Sequence, residues 1–456
     1  MPLLIPDLIY RDGRFEAGLG VEYDTGTGRI TRVGPAGALA AGAGGAGGAG
    51  GAAGGGAGPE VERLPGRALL PGFINAHSHA FQRLIRGRTQ WRPATHPQAD
   101  FWSWRESMYA AALAMSAEDV FHASRFCFLE MLRAGITSVG EFHYLHRDPE
   151  GRRYREPNEL AHRVLDAAAD VGIRIALLNV CYATGGIGRP LAPEQRRFAT
   201  PELDAYLRDT ADLQDAFRDD PRVTVGVAPH SVRAVPRAWL RELHAWATSR
   251  DMAVHMHVSE QPREVEDCVA AYGLRPVELL AAEGVLDERF TAVHATHLSP
   301  EEVALLGDAG ATVCACPTTE RDLGDGFLPG AELLDAETPV ALGSDSHTVI
   351  DPFEEMRLVE YHERLRRLRR VVLAVPGAGG RLEVAPLLLE LATESGARSL
   401  RLDAGRLEAG RLADFIAVDL DHPTLAGWTA ETLPAILALS APPDVVADVW
   451  VGGVRR

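Results

Sequence analysis

The sequence predicts an α/β protein: a TIM-type (β/α)8 barrel with a small composite β-sandwich domain made from both termini. Two observations carry this prediction. Eight almost continuously apolar, strand-like runs alternate with helix-patterned segments, and short β-like pieces lie outside them at both ends of the chain. Apolar strands that alternate with helices indicate a parallel sheet covered by helices, and eight such units indicate a closed barrel. A chain of 456 residues is long enough for both domains.

The N-terminal region starts with short β-like pieces, LIPDLIYRDGRF and GRITRVG, which Gly and Asp turns interrupt. From Ala36 to Gly58 the chain is almost entirely Ala and Gly. Such a tract has no large side chain to bury and much backbone entropy to lose, so we expect it to be a flexible loop. Residues 1–70 are therefore predicted to be the N-terminal part of the small β domain, with residues 36–58 disordered.

The eight strand-like runs lie within residues 71–400, the predicted barrel domain. The first run ends at His77, and the others cover residues 135–144, 173–182, 222–231, 252–260, 290–297, 311–319 and 339–347. Helical patterns follow the eighth run in EEMRLVEYHERLRRLRR and LEVAPLLLELATESGARSL. A β pattern returns in GRLEAGRLADFIAVDL and VADVWVGGVRR, so residues 401–456 are predicted to complete the small β domain.

Composition restricts the function classes. A formal net charge of −17 disfavours nucleic acid and anionic membrane as partners. We find no long apolar run and no signal-peptide pattern, and the five cysteines are odd in number and mostly lie in apolar segments, so we expect a cytoplasmic protein without a disulfide framework. All 46 basic residues are Arg. The lack of Lys excludes Schiff-base chemistry on a lysine, a phosphate-loop lysine and a carbamylated lysine that bridges two metals.

Residues suited to metal binding end several of the strand-like runs. His77 and His79 are one residue apart, so on a strand their side chains point to the same face. An isolated HXH is more often an ordinary histidine pair, but His257 and Asp345 end two further runs. The carboxyl ends of parallel strands meet at one face of a barrel, where these four side chains can share an ion. Three imidazoles and a carboxylate suit Zn²⁺, although another divalent ion is possible, and leave room for a water.

A catalytic carboxylate is also indicated. Glu260 follows His257 by three residues, at the rim of the barrel, where it can accept or deliver a proton beside a metal-bound water. Without the neighbouring histidine, Glu260 would be taken for an ordinary exposed glutamate.

Five motifs, PGFINAHSH, HVSE, VHATH, GSDSH and GRLADF, occur in an order that resembles the amidohydrolase superfamily. The resemblance covers essentially the whole chain apart from the Ala/Gly tract. Within the superfamily the chain is most similar to the formimidoylglutamate deiminases, on the further motifs HSHAFQR, FWSWRESMY, EFHYLH, PHSVRAV, HMHVSEQ and TTERDLGDG. This resemblance implies a metal-dependent hydrolase barrel that converts N-formimino-L-glutamate to N-formyl-L-glutamate and ammonia in histidine degradation.

The resemblance implies a role for each catalytic residue. His257 is the ligand because the family pattern places it three residues before the glutamate, so His255 is assigned to support or packing. His294 would hydrogen-bond the attacking water or polarise the substrate, with His297 as the candidate in the other register. Asp345 would bind the metal and accept the proton of the water, and Glu260 would protonate the imine nitrogen. Two-metal relatives carry a carbamylated lysine after strand four, where this chain has APHS, so one metal is expected.

The implied substrate has two carboxylates and a cationic, amidine-like head. Its pocket needs fixed positive donors at one end and carboxylates at the other. The residues that match substrate-binding positions of the deiminases are Gln82, Arg105, Tyr144, His230 and Arg233. The two arginines are the natural carboxylate clamps, although Arg105 alone could equally be a helix-surface residue packed among aromatics. Glu320 lies on the loop after strand seven and could contact the amidine, but this loop departs from the family form TTEANLGDG at Arg321 and Asp322.

Three alternatives stay open at this stage. A purine, pyrimidine or related heterocycle deaminase of the same superfamily would share the metal site but would need no arginine clamps. The unrelated cytidine-deaminase zinc site requires a PCXXC element, whereas Cys314 and Cys316 are one residue apart. A scaffold without catalysis is disfavoured because all four ligands and Glu260 are present. We expect a small-molecule substrate with two carboxylates, no nucleic-acid or membrane partner, and a homodimer.

Overall fold

The structure is a computed structural model that describes residues 1–41, 60–92, 94, 99–377 and 380–456. Its strands are β1 (Pro2–Arg11), β2 (Arg14–Ala17), β3 (Leu19–Asp24), β4 (Arg29–Pro35), β5 (Glu60–Pro71), β6 (Phe73–Ser78), β7 (Ile136–His143), β8 (Arg174–Cys181), β9 (Val223–Pro229), β10 (Val254–Val258), β11 (Phe290–His294), β12 (Thr312–Ala315), β13 (Val340–Leu342), β14 (Val375–Pro376), β15 (Leu382–Glu383), β16 (Phe415–Asp419), β17 (Val446–Val451) and β18 (Val454–Arg455).

The α-helices are α1 (Ala36–Ala41), α2 (Phe101–Ala114), α3 (Ala117–Arg133), α4 (Glu159–Val171), α5 (Leu203–Ala216), α6 (Arg237–Ser249), α7 (Pro262–Tyr272), α8 (Pro276–Ala282), α9 (Pro300–Asp308), α10 (Pro317–Leu323), α11 (Gly330–Asp335), α12 (Pro352–Arg367), α13 (Ala385–Leu391), α14 (Glu394–Ser399) and α15 (Leu433–Ser440). Short 3₁₀ helices cover Ala80–Ile85, Pro193–Phe198, Pro423–Leu425 and Pro443–Val445.

Eight parallel strands, β6 to β13, form the barrel, and each pairs with the next along the chain. All eight predicted strands are confirmed. The barrel closes where the end of β6 meets the segment after β13: the N–H of Asp345 donates to the carbonyl of His77, and the N–H of His79 donates to the carbonyl of Asp345, each at 3.0 Å. The barrel is thus closed by backbone hydrogen bonds among predicted metal ligands.

The barrel strands are apolar because helices cover them. Strands β7 and β8 are buried along their whole length. Helix α4 packs against β8, and its buried residues include Val164, Leu165 and Ala168. The helix ends at Gly172, whose φ of 84° lies in the left-handed region that glycine adopts without strain.

The small domain is composite, as predicted. Strands β1 to β5 and β16 to β18 form one sheet in the order β18-β17-β16-β5-β1-β3-β4, with β2 paired to β1. The N-terminal strand β5 and the C-terminal strand β16 pair antiparallel, which joins the two ends of the chain. Leu4, Ile9, Phe415 and Trp450 belong to a separate apolar core that this sheet encloses.

A buried ion pair joins the barrel to the small domain. Arg174 of β8 donates from Nε to Oδ2 of Asp414 at 2.6 Å and from Nη2 to Oδ1 at 3.0 Å. Asp414 also accepts from the N–H of Gly452, and both charged side chains are almost fully buried. Such bidentate geometry fixes the orientation of both partners, and therefore of the sheet against the barrel.

The Ala/Gly tract differs in part from the prediction. Its first six residues form α1, in which Leu39 is buried, so the prediction of disorder is wrong for Ala36–Ala41. One leucine supplies the apolar anchor that the following residues lack. Residues 42–58 of the tract lie outside the described residues.

All five cysteines are free and buried. Within the part of the chain that the structure describes, no helix combines the length and the apolar character needed to cross a membrane.

Candidate metal and catalytic site

Four side chains converge at the carboxyl ends of the barrel strands. The Nε2 atoms of His77, His79 and His257 lie 3.1 to 3.4 Å from one another. Oδ1 of Asp345 lies 3.4 Å from Nε2 of His77 and 3.2 Å from Nε2 of His79. All four side chains are buried. The structure therefore brings together the four predicted ligands.

The hydrogen bonds on the outer side of two rings fix which nitrogen faces inward. His79 donates from Nδ1 to the carbonyl of Phe142 at 2.9 Å, and His257 donates from Nδ1 to the carbonyl of His230 at 3.1 Å. Their Nε2 lone pairs consequently face each other. Lone pairs in such proximity repel unless a cation lies between them, and a ring held by an outer hydrogen bond is the usual form of a metal-bound histidine.

The spacing also fits a small divalent ion. Bonds of about 2.1 Å in a tetrahedral site separate ligand atoms by roughly 3.4 Å, and the observed nitrogen separations are 3.1 to 3.4 Å. Burial lowers the pKa of His77 to about 3 and that of His257 well below its usual value. Both rings are therefore neutral, as ligation requires.

A chain of buried hydrogen bonds supports the ligand-bearing strands from behind. Asn75 donates to Ser344 at 2.6 Å, and the hydroxyl of Ser344 lies 2.9 Å from Nδ1 of His347. Nε2 of His347 lies 3.0 Å from the hydroxyl of Ser78, which donates to Glu141. The chain links β6, β7 and the segment after β13, so it holds the residues on either side of the metal ligands in a fixed register.

Gly343 lets β13 approach β6. A Cβ atom at this position would lie 2.8 Å from Cβ of His77, 2.9 Å from Sγ of Cys316 and 3.0 Å from the carbonyl oxygen of His77. Because these neighbours include backbone, they cannot move aside cheaply. Glycine is therefore required where the two ligand-bearing segments meet.

A second group of ionisable residues lies beside the four ligands. Nε2 of His294 lies 3.7 Å from Oε1 of Glu260 and 3.9 Å from Oδ2 of Asp345. Burial alone would lower the pKa of His294, but Glu260, Glu320 and Asp345 together raise it well above its usual value. Burial raises the pKa of Glu260 to about 7, against the opposing influence of His294 and Arg233. A carboxyl group with such a pKa can gain or lose a proton at neutral pH.

His294, and not His297, lies beside the four ligands. His297 donates from Nε2 to the carbonyl of Asp325 at 2.7 Å. Nε2 of His255 lies 2.9 Å from the carbonyl oxygen of Ser399, away from the four ligands. His294 faces the cluster with a φ of 71°, and Asp345 has a φ of 44°. Left-handed conformations cost non-glycine residues about 1–3 kcal/mol and concentrate at functional sites.

The structure corrects the expected position of Glu320. Its Oε1 accepts from the N–H of Cys316 at 2.8 Å and lies 3.4 Å from Nδ1 of His294. Glu320 therefore lies behind the His294 ring and does not line the cavity that opens beside the four ligands. The two departures from the family loop pattern point away from the site, because Arg321 bonds Glu354 and Asp322 bonds Gln90.

A cavity opens next to the cluster. Its wall includes five of the six residues predicted to bind substrate, all but Glu320, together with most of the predicted metal and catalytic residues. The predicted residues in the wall are His79, Gln82, Arg105, Tyr144, His230, Arg233, His257, Glu260, His294 and Asp345. Aromatic side chains of α2 and of neighbouring strands complete the wall, which is the composition of a small-molecule site.

The two arginines of the cavity differ in their partners. Nε of Arg233 donates to Glu264 at 2.9 Å, and its Nη2 lies 4.0 Å from Glu260. The guanidinium of Arg105 has no carboxylate within ion-pair distance among the described residues, and its Nε is buried without a hydrogen-bond partner. Arg105 is held instead over the Trp102 ring, 4.4 Å from its centroid. The unpaired cation of this cavity is therefore Arg105.

A family model described as the amidohydrolase family matches residues 68–456. The chain belongs to this family. A formimidoylglutamate deiminase from Pseudomonas aeruginosa is 38% identical over 397 residues, which cover 86% of this chain and 85% of that protein. A crystal structure of an amidohydrolase from Brucella melitensis has a TM-score of 0.86 at 33% identity and covers 100% of this chain and 94% of that chain.

An adenosine deaminase from Xanthomonas campestris, solved with bound zinc, has a TM-score of 0.79 at 25% identity and covers 99% of this chain and 92% of that chain. Together with the family match, these relatives make the chain a hydrolase of the deaminase type.

Two site residues were missed in the sequence. Asp325 lies close to Glu260 and His294, and its Oδ2 is buried without a hydrogen-bond partner. Burial and then Glu260 raise the pKa of Asp325 to about 10, so the group is neutral. Glu141 accepts from Ser78 and from the N–H of Ala80. A lone carboxylate in an otherwise apolar strand was the available signal for Glu141, whereas Asp325 in a Gly-rich loop gave none.

The close approach at Gly343 yields a test. Gly343→Ala should push β13 away from His77 and weaken zinc binding by about tenfold or more, the scale for residues that position ligands. Zinc affinity is measured by competition with a chelating dye. The matched control is Gly34→Ala, where a Cβ meets no atom within 4 Å. Equal zinc affinity in Gly343→Ala and the wild type would contradict the inferred closure.

Proposed function

We propose that this amidohydrolase converts N-formimino-L-glutamate and water to N-formyl-L-glutamate and ammonia. The observation that carries the proposal is the unpaired guanidinium of Arg105 in the same cavity as the four-ligand cluster. A substrate carboxylate supplies the partner that Arg105 lacks. The 38% identity to a formimidoylglutamate deiminase supports the same substrate.

The cavity wall carries side chains of both charges. Arg105 and Arg233 line it and favour carboxylates. Glu260, 4.0 Å from Nη2 of Arg233, and Asp345 favour a cationic formimino group. In the same wall, Gln82 donates from Nε2 to the hydroxyl of Tyr144 at 2.6 Å, which leaves its buried Oε1 without a partner. That oxygen is an acceptor for an N–H group of the substrate.

The residues that would hold the metal are His77, His79, His257 and Asp345, and their ligand set favours one zinc ion. When bound, such an ion supplies a nucleophile at neutral pH, because it lowers the pKa of water from about 15.7 to about 7. Asp345 accepts the proton that this water loses, and His294 directs the water with a hydrogen bond from Nε2. Glu320 orients the ring of His294 through Nδ1.

Glu260 moves the second proton. A C–O bond forms between the water oxygen and the formimino carbon, and Glu260 delivers a proton to the terminal nitrogen of the tetrahedral adduct. The bond between the carbon and that nitrogen then breaks, and ammonia leaves with its electron pair. The remaining proton of the water passes to Glu260, and Asp345 gives its proton to the departing ammonia, so both carboxyl groups return to their starting protonation states. The carbonyl of N-formyl-L-glutamate retains the water oxygen.

One further activity is consistent with the same chemistry. Deaminases of purines, pyrimidines and related heterocycles need the metal cluster and the Glu260 carboxylate but no carboxylate clamp. The adenosine deaminase with bound zinc among the similar structures favours this alternative. The charged Arg105 weighs against it, because a heterocycle would leave that guanidinium unpaired.

A substrate panel decides between the two activities. The zinc-loaded enzyme should release ammonia from N-formimino-L-glutamate at least about a hundredfold faster, by kcat/KM, than from N-formiminoglycine, because a missing charged partner leaves Arg105 unpaired. Ammonia is measured with a coupled glutamate dehydrogenase assay. Turnover of adenosine, guanine or cytosine without turnover of N-formimino-L-glutamate would reject the deiminase assignment.

The role of Glu260 is tested with Glu260→Gln. This variant keeps the shape of the side chain but cannot shuttle the proton, so kcat should fall by about 10²–10⁴-fold. Zinc content, measured by mass spectrometry, should equal that of the wild type. Glu266→Gln is the matched control, because this glutamate of the same segment is exposed. Undiminished turnover in Glu260→Gln would remove Glu260 from the mechanism.

A further inference from the structure

A second cavity shares part of its wall with the first. Arg105 and Arg233 line both cavities. The outer wall of the second cavity adds Arg189 and Arg263, and Trp102 lies among the arginines. Two of the four arginines therefore face the catalytic cavity as well, and two lie only on the outer side.

Three of these guanidinium groups surround one indole ring. The Cζ atoms of Arg105, Arg263 and Arg233 lie 4.4, 4.9 and 5.9 Å from the centroid of Trp102. Trp is the ring on which a cation binds best, so the indole stabilises these groups without neutralising them. The indole holds the positive charges close together in a concave wall.

The acidic residues nearby offset only part of this charge. Nε of Arg233 lies 2.9 Å from Oε2 of Glu264, and Nε of Arg263 lies 3.9 Å from Oδ2 of Asp267. Neither Arg105 nor Arg189 has a carboxylate partner among the described residues. The wall of the second cavity is consequently cationic in a chain whose formal net charge is −17.

Two contacts hold Arg263 at the wall of the second cavity. Arg263 is the second residue of α7, at the positive end of the helix dipole, where a cation is disfavoured. It pairs with Asp267 of the same helix and leans over the Trp102 ring outside the helix. About half of its side chain is exposed, so its guanidinium is open to an anion from solvent.

We propose that the second cavity is an anion-binding vestibule, in which Arg263 and Arg189 capture small dicarboxylates and pass them to Arg105 and Arg233. The choice of dicarboxylates rests on the proposed function. An acidic protein repels an anionic substrate at a distance, and local cationic groups at the entrance reverse that repulsion. Arg263 and Arg189 would thus act on capture of the substrate, ahead of the chemical step.

The probe is glutarate, a dicarboxylate without the formimino group, titrated calorimetrically into the zinc-loaded enzyme. Arg263→Glu should weaken glutarate binding by about tenfold at low ionic strength, and 0.5 M NaCl should remove most of that difference, because exposed charges are screened. Arg189→Gln should show a smaller loss in the same direction. With N-formimino-L-glutamate as substrate, the loss should appear in KM rather than in kcat.

The matched control is Arg370→Glu, which makes the same change of charge at an exposed arginine that lines neither cavity. A control that weakens glutarate binding as much as Arg263→Glu would overturn the vestibule, and so would a wild-type enzyme that binds no glutarate. Glutarate binding that depends on Arg263 in an enzyme without activity on N-formimino-L-glutamate would keep the vestibule and reject the substrate. Turnover of N-formimino-L-glutamate by an enzyme whose glutarate binding does not depend on Arg263 would keep the substrate and reject the vestibule.

Discussion

The site depends on the backbone closure between the end of β6 and the segment after β13. Paired hydrogen bonds between His77, His79 and Asp345 close the barrel and set three metal ligands in one register. Gly343 permits the close approach, and the buried chain from Asn75 to Glu141 holds the same segments from behind. Fold stability and ligand geometry are therefore one constraint, because a displaced strand would open the barrel and separate the ligands.

Charged groups of both signs line the site. The imidazole lone pairs at the centre require a cation, and His294 and Arg233 neutralise the carboxylates beside them. Arg105 stays unpaired in the wall of the same cavity, and the exposed Arg189 and Arg263 extend the positive wall. A substrate with carboxylates at one end and a cationic head at the other can pair with both the arginines and the carboxylates of the site. A neutral heterocycle would leave Arg105 unpaired.

Much of this arrangement could be predicted from the sequence. The apolar runs and the turn residues between them predicted the eight barrel strands. The polar residues at the ends of these runs predicted the four metal ligands, Glu260 and His294. The rest depends on tertiary contacts. The position of Glu320 behind His294 follows from its bond to the Cys316 backbone, the neutral Asp325 follows from burial, and α1 is accompanied by the burial of Leu39. Such contacts between distant segments cannot be predicted from residue type or from spacing along the chain.

The most direct test is anomalous diffraction at the zinc absorption edge from crystals of the zinc-loaded enzyme. The account predicts one ion, about 2.1 Å from Nε2 of His77, His79 and His257 and within bonding distance of Asp345. A peak elsewhere, or an ion that leaves one of these four side chains unbound, would contradict the central claim that they form a single metal site.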